Sequence, residues 1–171
     1  MREYQREFRN FNEDLEYIYR DLKVPEDYDW RKSGPAIGMW VDCSWHNNSC
    51  PSFSYTAPSP YSERMNMDLY VDYIDPNLSQ NMESRLDGSM QRFTLYKDEG
   101  CDCIYQTDSW TDMNMFIKGY IAAMQIAPLD LDEQDLIKPA HMYRSLNKAF
   151  PVYFKAGSVN VENDIVNNFF S

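Results

Sequence analysis

The stretch "MNMDLYVDYI", residues 65–74, changes side at every residue. Met67, Leu69, Val71 and Tyr73 stand on one side, and Asp68, Tyr70 and Asp72 on the other. A repeat of two belongs to a pleated strand; no helix gathers those four apolar side chains on one face. The carboxylates opposite them predict a sheet with one packed face and one face turned to water.

The same repeat recurs upstream. Ile37, Met39, Val41, Cys43 and Trp45 alternate with Gly38, Trp40, Asp42, Ser44 and His46. Downstream, "SMQRFTLYK" and "CDCIYQT" flank "DEG", which reads as a hairpin. Strands are therefore expected over 36–46, 66–74, 89–97 and 101–107. Between the first two lies "NNSCPSFSYTAPSPYSER", a polar stretch with three prolines that admits a short strand at Phe53–Tyr55.

Outside this middle the period changes. Tyr4, Phe8, Phe11, Leu15, Ile18 and Leu22 recur every three or four residues, which predicts one amphipathic helix over 2–23, stopped by Pro25. Its apolar stripe is expected to pack on the core. "PEDYDWRKSGP", 25–35, has the composition of a linker. Met113, Phe116, Ile117, Tyr120, Ile121 and Met124 predict a second helix over 109–125, with Ser109 and Asp112 placed like a loose capping box. "PLDLDEQDLIKP" is an acidic connection, and "AHMYRSLNKAF" and "VNVENDIVNNFF" read as C-terminal helices. Strands in the middle and helices outside define the α+β class: a central antiparallel sheet of about four strands with helices on one face. The 171 residues are one domain's length. Within it, 1–24 form the N-terminal helix, 36–126 the sheet and main helix, and 127–171 the connection and C-terminal helices.

Charge narrows the function. Acids outnumber bases 27 to 16, for a net charge of −11, and residues 24–137 alone carry −12. Direct nucleic-acid binding needs Lys and Arg against phosphates, so it is not expected. An anionic membrane surface is disfavoured for the same reason. No stretch reaches the ~20 apolar residues of a membrane span, and the charged first residues do not read as a signal peptide, so a cytoplasmic location is expected.

Candidate chemistry gathers in "VDCSWHNNSC", 41–50. Cys43, His46 and Cys50, joined by Cys101 and Cys103, supply ligand types that zinc favours, but without Cys-x2-Cys spacing. Strand geometry also points Cys43 and His46 to opposite faces. A cysteine nucleophile would have to draw on His46 or His141, the two imidazoles in the chain, and no helix start follows Cys43 to lower its pKa. Asp68 and Asp72 would stand about 13 Å apart on one strand, too far to flank a single glycosidic bond in a retaining mechanism. Asp130, Asp132, Glu133 and Asp135 share only their charge with a calcium loop, since its Gly and terminal Glu are missing. No phosphate loop or dinucleotide fingerprint occurs, and no cofactor is expected.

A non-enzymatic binding protein is the reading that remains. Trp40, Asp42, Asp68, Tyr70 and Asp72 on the outward sheet face, with Asp130, Asp132, Glu133 and Asp135 beside it, would meet a basic protein surface. The partner expected is a nucleic-acid-binding protein, inhibited by carboxylates that stand in for phosphates. Phage anti-CRISPR and anti-restriction proteins work this way, an analogy from charge alone, and such a protein would act in the host cytoplasm. The alternatives are a zinc-stabilised domain or cysteine-dependent enzyme centred on Cys43, His46 and Cys50, and a toxin-immunity or complex-subunit role.

Overall fold

The computed structural model describes residues 1–34, 36–58, 66–97 and 102–126, with the backbone alone for 102 and 123–126. The described residues fall into two units, the first Met1–Trp110 and the second beginning at Thr111. The first unit is built on a five-stranded antiparallel sheet, which makes the fold α+β. Its strands are β1 Trp40–Asp42, β2 Ser52–Thr56, β3 Asn66–Val71, β4 Phe93–Lys97 and β5 Asp102–Thr107, lying in chain order across the sheet.

Register assigns the two faces. Across the β2–β3 ladder, Phe53 opposes Leu69 and Tyr55 opposes Met67; across β3–β4, Val71 opposes Phe93 and Leu69 opposes Leu95. Residues directly opposite share a side. Phe53, Met67, Leu69, Val71, Phe93 and Leu95 therefore form one apolar layer, and all are buried. The expected alternation holds over Asn66–Val71, with the expected core side, and ends there: Asp72, expected to face outward, is buried. The second face carries Ser54, Asp68, Tyr70, Thr94 and Tyr96. A bulge between Leu95 and Tyr96 lets Ile104 slip between the paired Cys103 and Tyr105.

The fifth strand, β2, sits where the sequence offered only a short option at Phe53–Tyr55. It is bracketed by Pro51 and Pro58, and its three polar residues, Ser52, Ser54 and Thr56, gave it the look of a loop.

Two expectations are corrected. The strand expected over 36–46 is three residues long, and its parity is reversed. Ile37 is 63% exposed and Met39 37%, while Trp40 and Asp42 are buried on the core face, opposite Tyr55 and Phe53. Gly38 at φ 78° breaks the extended run before β1 begins. The single N-terminal helix is in fact two, α1 Glu3–Glu7 and α2 Glu16–Leu22. Between them "RNFNED" offers Asn and Asp side chains that compete for backbone groups; Asp14 accepts from the Glu16 N–H at 3.0 Å. The break folds α1 back on α2, so that the Tyr4 hydroxyl accepts the Leu15 N–H at 3.2 Å. Tyr4, Phe8, Leu15, Ile18 and Leu22 of the expected stripe are nonetheless buried. Lys23 in the left-handed conformation, φ 55°, closes α2.

These helices cover the core face. The Tyr19 ring meets Phe53 edge-on, centroids 5.7 Å apart. Trp110 packs on Phe93 and Tyr17, both at 5.5 Å, and its indole N–H donates to Asp21 at 2.9 Å. The segment expected as a linker holds a one-turn helix, α3 Trp30–Ser33, capped by Asp29. A further short helix, α4 Met82–Leu86, lies between β3 and β4. The helix expected over 109–125 is α5, Trp110–Ile126; its Met113, Phe116, Ile117 and Tyr120 are buried, and the last two of its aromatics, Phe116 and Tyr120, stack at 5.9 Å. The expected C-terminal helices, the "DEG" turn and the acidic connection lie outside the described residues.

Candidate partner-binding surface

The expected site divides into buried and accessible parts. Trp40 and Asp42 each expose 4% of their surface, so neither faces a partner. Asp42 is instead a buried acceptor. Its Oδ2 takes the Tyr4 N–H at 3.0 Å and the Tyr19 hydroxyl, and its Oδ1 takes the Ser44 N–H at 3.0 Å. A carboxylate can stay inside when donors surround it, and here both helices supply them. Burial, and then the charge of Asp42, push the Tyr19 phenol well above its ordinary pKa.

Asp72 is corrected likewise. It follows β3, exposes 3%, and accepts the Ser79 hydroxyl at 2.7 Å and the Tyr73 N–H at 2.7 Å. Arg85 from α4 reaches inward to it, Nη1 to Oδ2 at 3.3 Å, with the Arg85 side chain 6% exposed. Two of the five sheet-face candidates, Asp68 and Tyr70, remain on the second face at half-buried positions. Asp68 accepts the Ser54 hydroxyl. Tyr70 meets Tyr96 edge-on at 5.5 Å. Burial raises both phenols, and the charge of Asp68 adds to the effect on Tyr70.

A cavity of about 330 Å³ opens beside these rings, lined among others by Cys50, Tyr70, Asp72, Arg92, Thr94 and Tyr96. Arg92 closes one side of it. Its Nε donates to the Asp72 carbonyl at 3.2 Å, its guanidinium pairs with Glu13 and lies 4.7 Å from the Phe93 ring centroid, and burial lowers its pKa. No local sequence signal marks Tyr96, Arg85 or Arg92 as site residues: nothing in β4, α4 or the segment between them, taken alone, links them to β3. Asp130, Asp132, Glu133 and Asp135 lie outside the described residues.

His46 Nδ1 is 2.7 Å from Glu7, whose same oxygen accepts the His46 N–H at 3.0 Å. Arg31 joins Glu7 to Glu3, pairing with Glu7 at 2.8 Å, and its guanidinium stands 4.8 Å from the Trp45 ring centroid. Residues 3–7, 31 and 45–46 thus form a charged clasp that ties α1 and α3 to the segment after β1. Burial pushes the Cys43 thiol up to about 11 and Cys50 up to about 12, so both hold their protons at neutral pH. Among the described residues no three His, Cys, Asp or Glu side chains come together as a metal group. Cys101 lies outside them, and Cys103 is exposed.

The remaining feature is the excursion between β3 and β4. A 3-10 turn, Pro76–Leu78, leads into α4, and Asp75, Glu83 and Asp87 are exposed along it. Residues 66–90 hold five acids and one base, Arg85. With Arg85 turned inward onto Asp72, the charge this region presents outward is entirely negative.

Comparisons with protein families, with curated proteins and with solved structures find no match to this chain. No helix among the described residues is long and apolar enough to cross a membrane.

Proposed function

We propose that this chain is a non-enzymatic binding protein that presents carboxylates, with tyrosines beside them, to a basic surface on a nucleic-acid-binding protein. The observation that carries this is the sorting of charge in residues 66–90. Arg85 neutralises the buried Asp72. Asp68, Asp75, Glu83 and Asp87 are left on the half-buried and exposed positions. Net negative charge can serve solubility alone. A base drawn inward while four acids stay outward concentrates the field on one region, which is what steers a basic partner.

The test is capture from a host lysate by the full chain. A nucleic-acid-binding partner should be eluted as salt rises from about 0.1 M to about 1 M, where the screening length falls from about 10 Å to about 3 Å. Duplex DNA should compete with the chain for it. D68N/D75N/E83Q/D87N preserves the side-chain shapes and should lose the capture. Capture that survives both high salt and that variant would refute the proposal.

A further inference from the structure

We propose that the excursion between β3 and β4 is a docking surface for an amphipathic, basic segment of a partner protein, with Ile74, Leu78, Met82 and Leu86 as its apolar contacts. This rests on the reading above that the partner is basic, and adds where and how it docks.

Two polar side chains of the excursion point inward: Ser79 is 7% exposed and donates to Asp72, and Arg85 is turned to the same carboxylate. The large apolar side chains point outward. Ile74 is 60% exposed, Leu78 53%, Met82 40% and Leu86 58%. Among the described residues, the other exposed large hydrophobics are Met1, Ile37 and Met39, far off in sequence. Single exposed apolar residues are ordinary, but these four fall within thirteen positions of one excursion, and apolar surface gathered in one region marks interaction sites. Met82 and Leu86 stand four apart on α4 and so share a face. The 3-10 turn that ends at Leu78 is in contact with α4. A cleft of about 530 Å³ lies beside Met82 in the same segment and is otherwise lined by polar residues, Asn77, Gln80 and Glu83 among them.

The patch is held in shape before any partner arrives. Asp75 caps the turn by accepting the Asn77 N–H at 3.0 Å. The Ser79 hydroxyl accepts the Asn81 N–H at 2.9 Å, and the Ser84 carbonyl accepts the Met90 N–H at 2.8 Å. Asp87 accepts the Ser89 N–H at 2.8 Å. A surface so pinned loses little freedom on binding.

Charge chooses the occupant. Asp75, Glu83 and Asp87 border the stripe, and no outward base lies among them. A second copy of this chain would set like charges against like, and an anionic membrane would be repelled in the same way. A helix with Leu on one side and Lys or Arg beside it matches both the stripe and its border.

The test uses the full chain and a fluorescent synthetic helix of Leu and Lys at amphipathic spacing, read by anisotropy. Companion peptides carry Glu for Lys, or Ser for Leu. The Leu–Lys peptide should bind and both companions should not. L78S/L86S should weaken it at least about tenfold, as losing central apolar anchors does. I74S/M82S should act in the same direction, and serves if the first pair fails to fold. D75N/E83Q/D87N should weaken binding and flatten its salt dependence. If both Ser pairs bind like the parent while affinity stays salt-sensitive, the docking proposal is overturned and the basic-partner reading stands. If the Leu–Glu peptide binds as well as Leu–Lys, both fail. If sedimentation shows the parent as a dimer that L78S/L86S disperses, the occupant is a second copy and the proposal is overturned.

Discussion

Replacing Asp42 by asparagine changes one atom type in the interior and should cost several kcal/mol. The carboxylate accepts three hydrogen bonds from Tyr4, Tyr19 and Ser44, and exposes 4% of its surface. Asparagine fills the same volume but has one acceptor oxygen. Turned toward Tyr4 and Tyr19, it sets its NH₂ against the Ser44 N–H; turned the other way, it sets it against the Tyr4 N–H. Either orientation leaves a buried backbone donor without an acceptor, a loss of about 1–3 kcal/mol. The bonds that survive change from charge-assisted to neutral, at about 1 kcal/mol each. The expected loss is therefore about 3–5 kcal/mol, a large part of the ~5–15 kcal/mol that holds a domain together. Urea unfolding followed by circular dichroism reads this directly. With a slope of about 2 kcal/mol/M, the midpoint should fall by roughly 2 M. D68N, on the opposite face and half-buried, should lose under about 1 kcal/mol and serves as the control. Matching small losses in the two variants would refute the assignment of Asp42 to the interior. Y19F combined with D42N should then show coupling, because the two groups share one bond.

R85M strands the Asp72 carboxylate inside and should cost about 3 kcal/mol, much of it restored in D72N/R85M; a denaturation double-mutant cycle measures the coupling. Glu7 should titrate below its ordinary value of 4.5: burial pushes it up, but the bonds from His46 and Arg31 outweigh that. Because the folded value is the depressed one, Glu7's contribution to stability is fully present above the ordinary carboxylate range and is lost as pH falls through the lowered value. Carboxyl NMR should show R31M moving that titration upward, and an unmoved curve would dismiss the clasp. Thiol labelling followed by peptide mapping should find exposed Cys103 modified well before Cys50, whose pKa burial lifts to about 12; equal rates in the folded chain would contradict the buried placement of Cys50.

What the sequence alone determined are the features set by local period. The alternation of Met67, Leu69 and Val71 named a strand and its core side, since strand geometry leaves an apolar row nowhere else to go. The stripe from Tyr4 to Leu22 named residues that are in fact buried, and the 3.6-residue period placed α5 within a residue of its observed bounds. Excess acid was legible by counting. The tertiary structure alone decided where each carboxylate ends up. In β1 all three residues are buried, so alternation there carries no signal for which side meets the core. Asp42 faces inward because donors arrive from Tyr4 and Tyr19, 38 and 23 positions away in the chain. Asp72 is buried because Arg85 comes back from α4 to meet it. No window of a few residues contains both members of either set. A charge seeks solvent unless partners are brought to it, and only the folded chain brings them. The same closure onto Asp72 turns Ser79 and Arg85 inward, while Leu78 and Leu86 of the excursion stay in water.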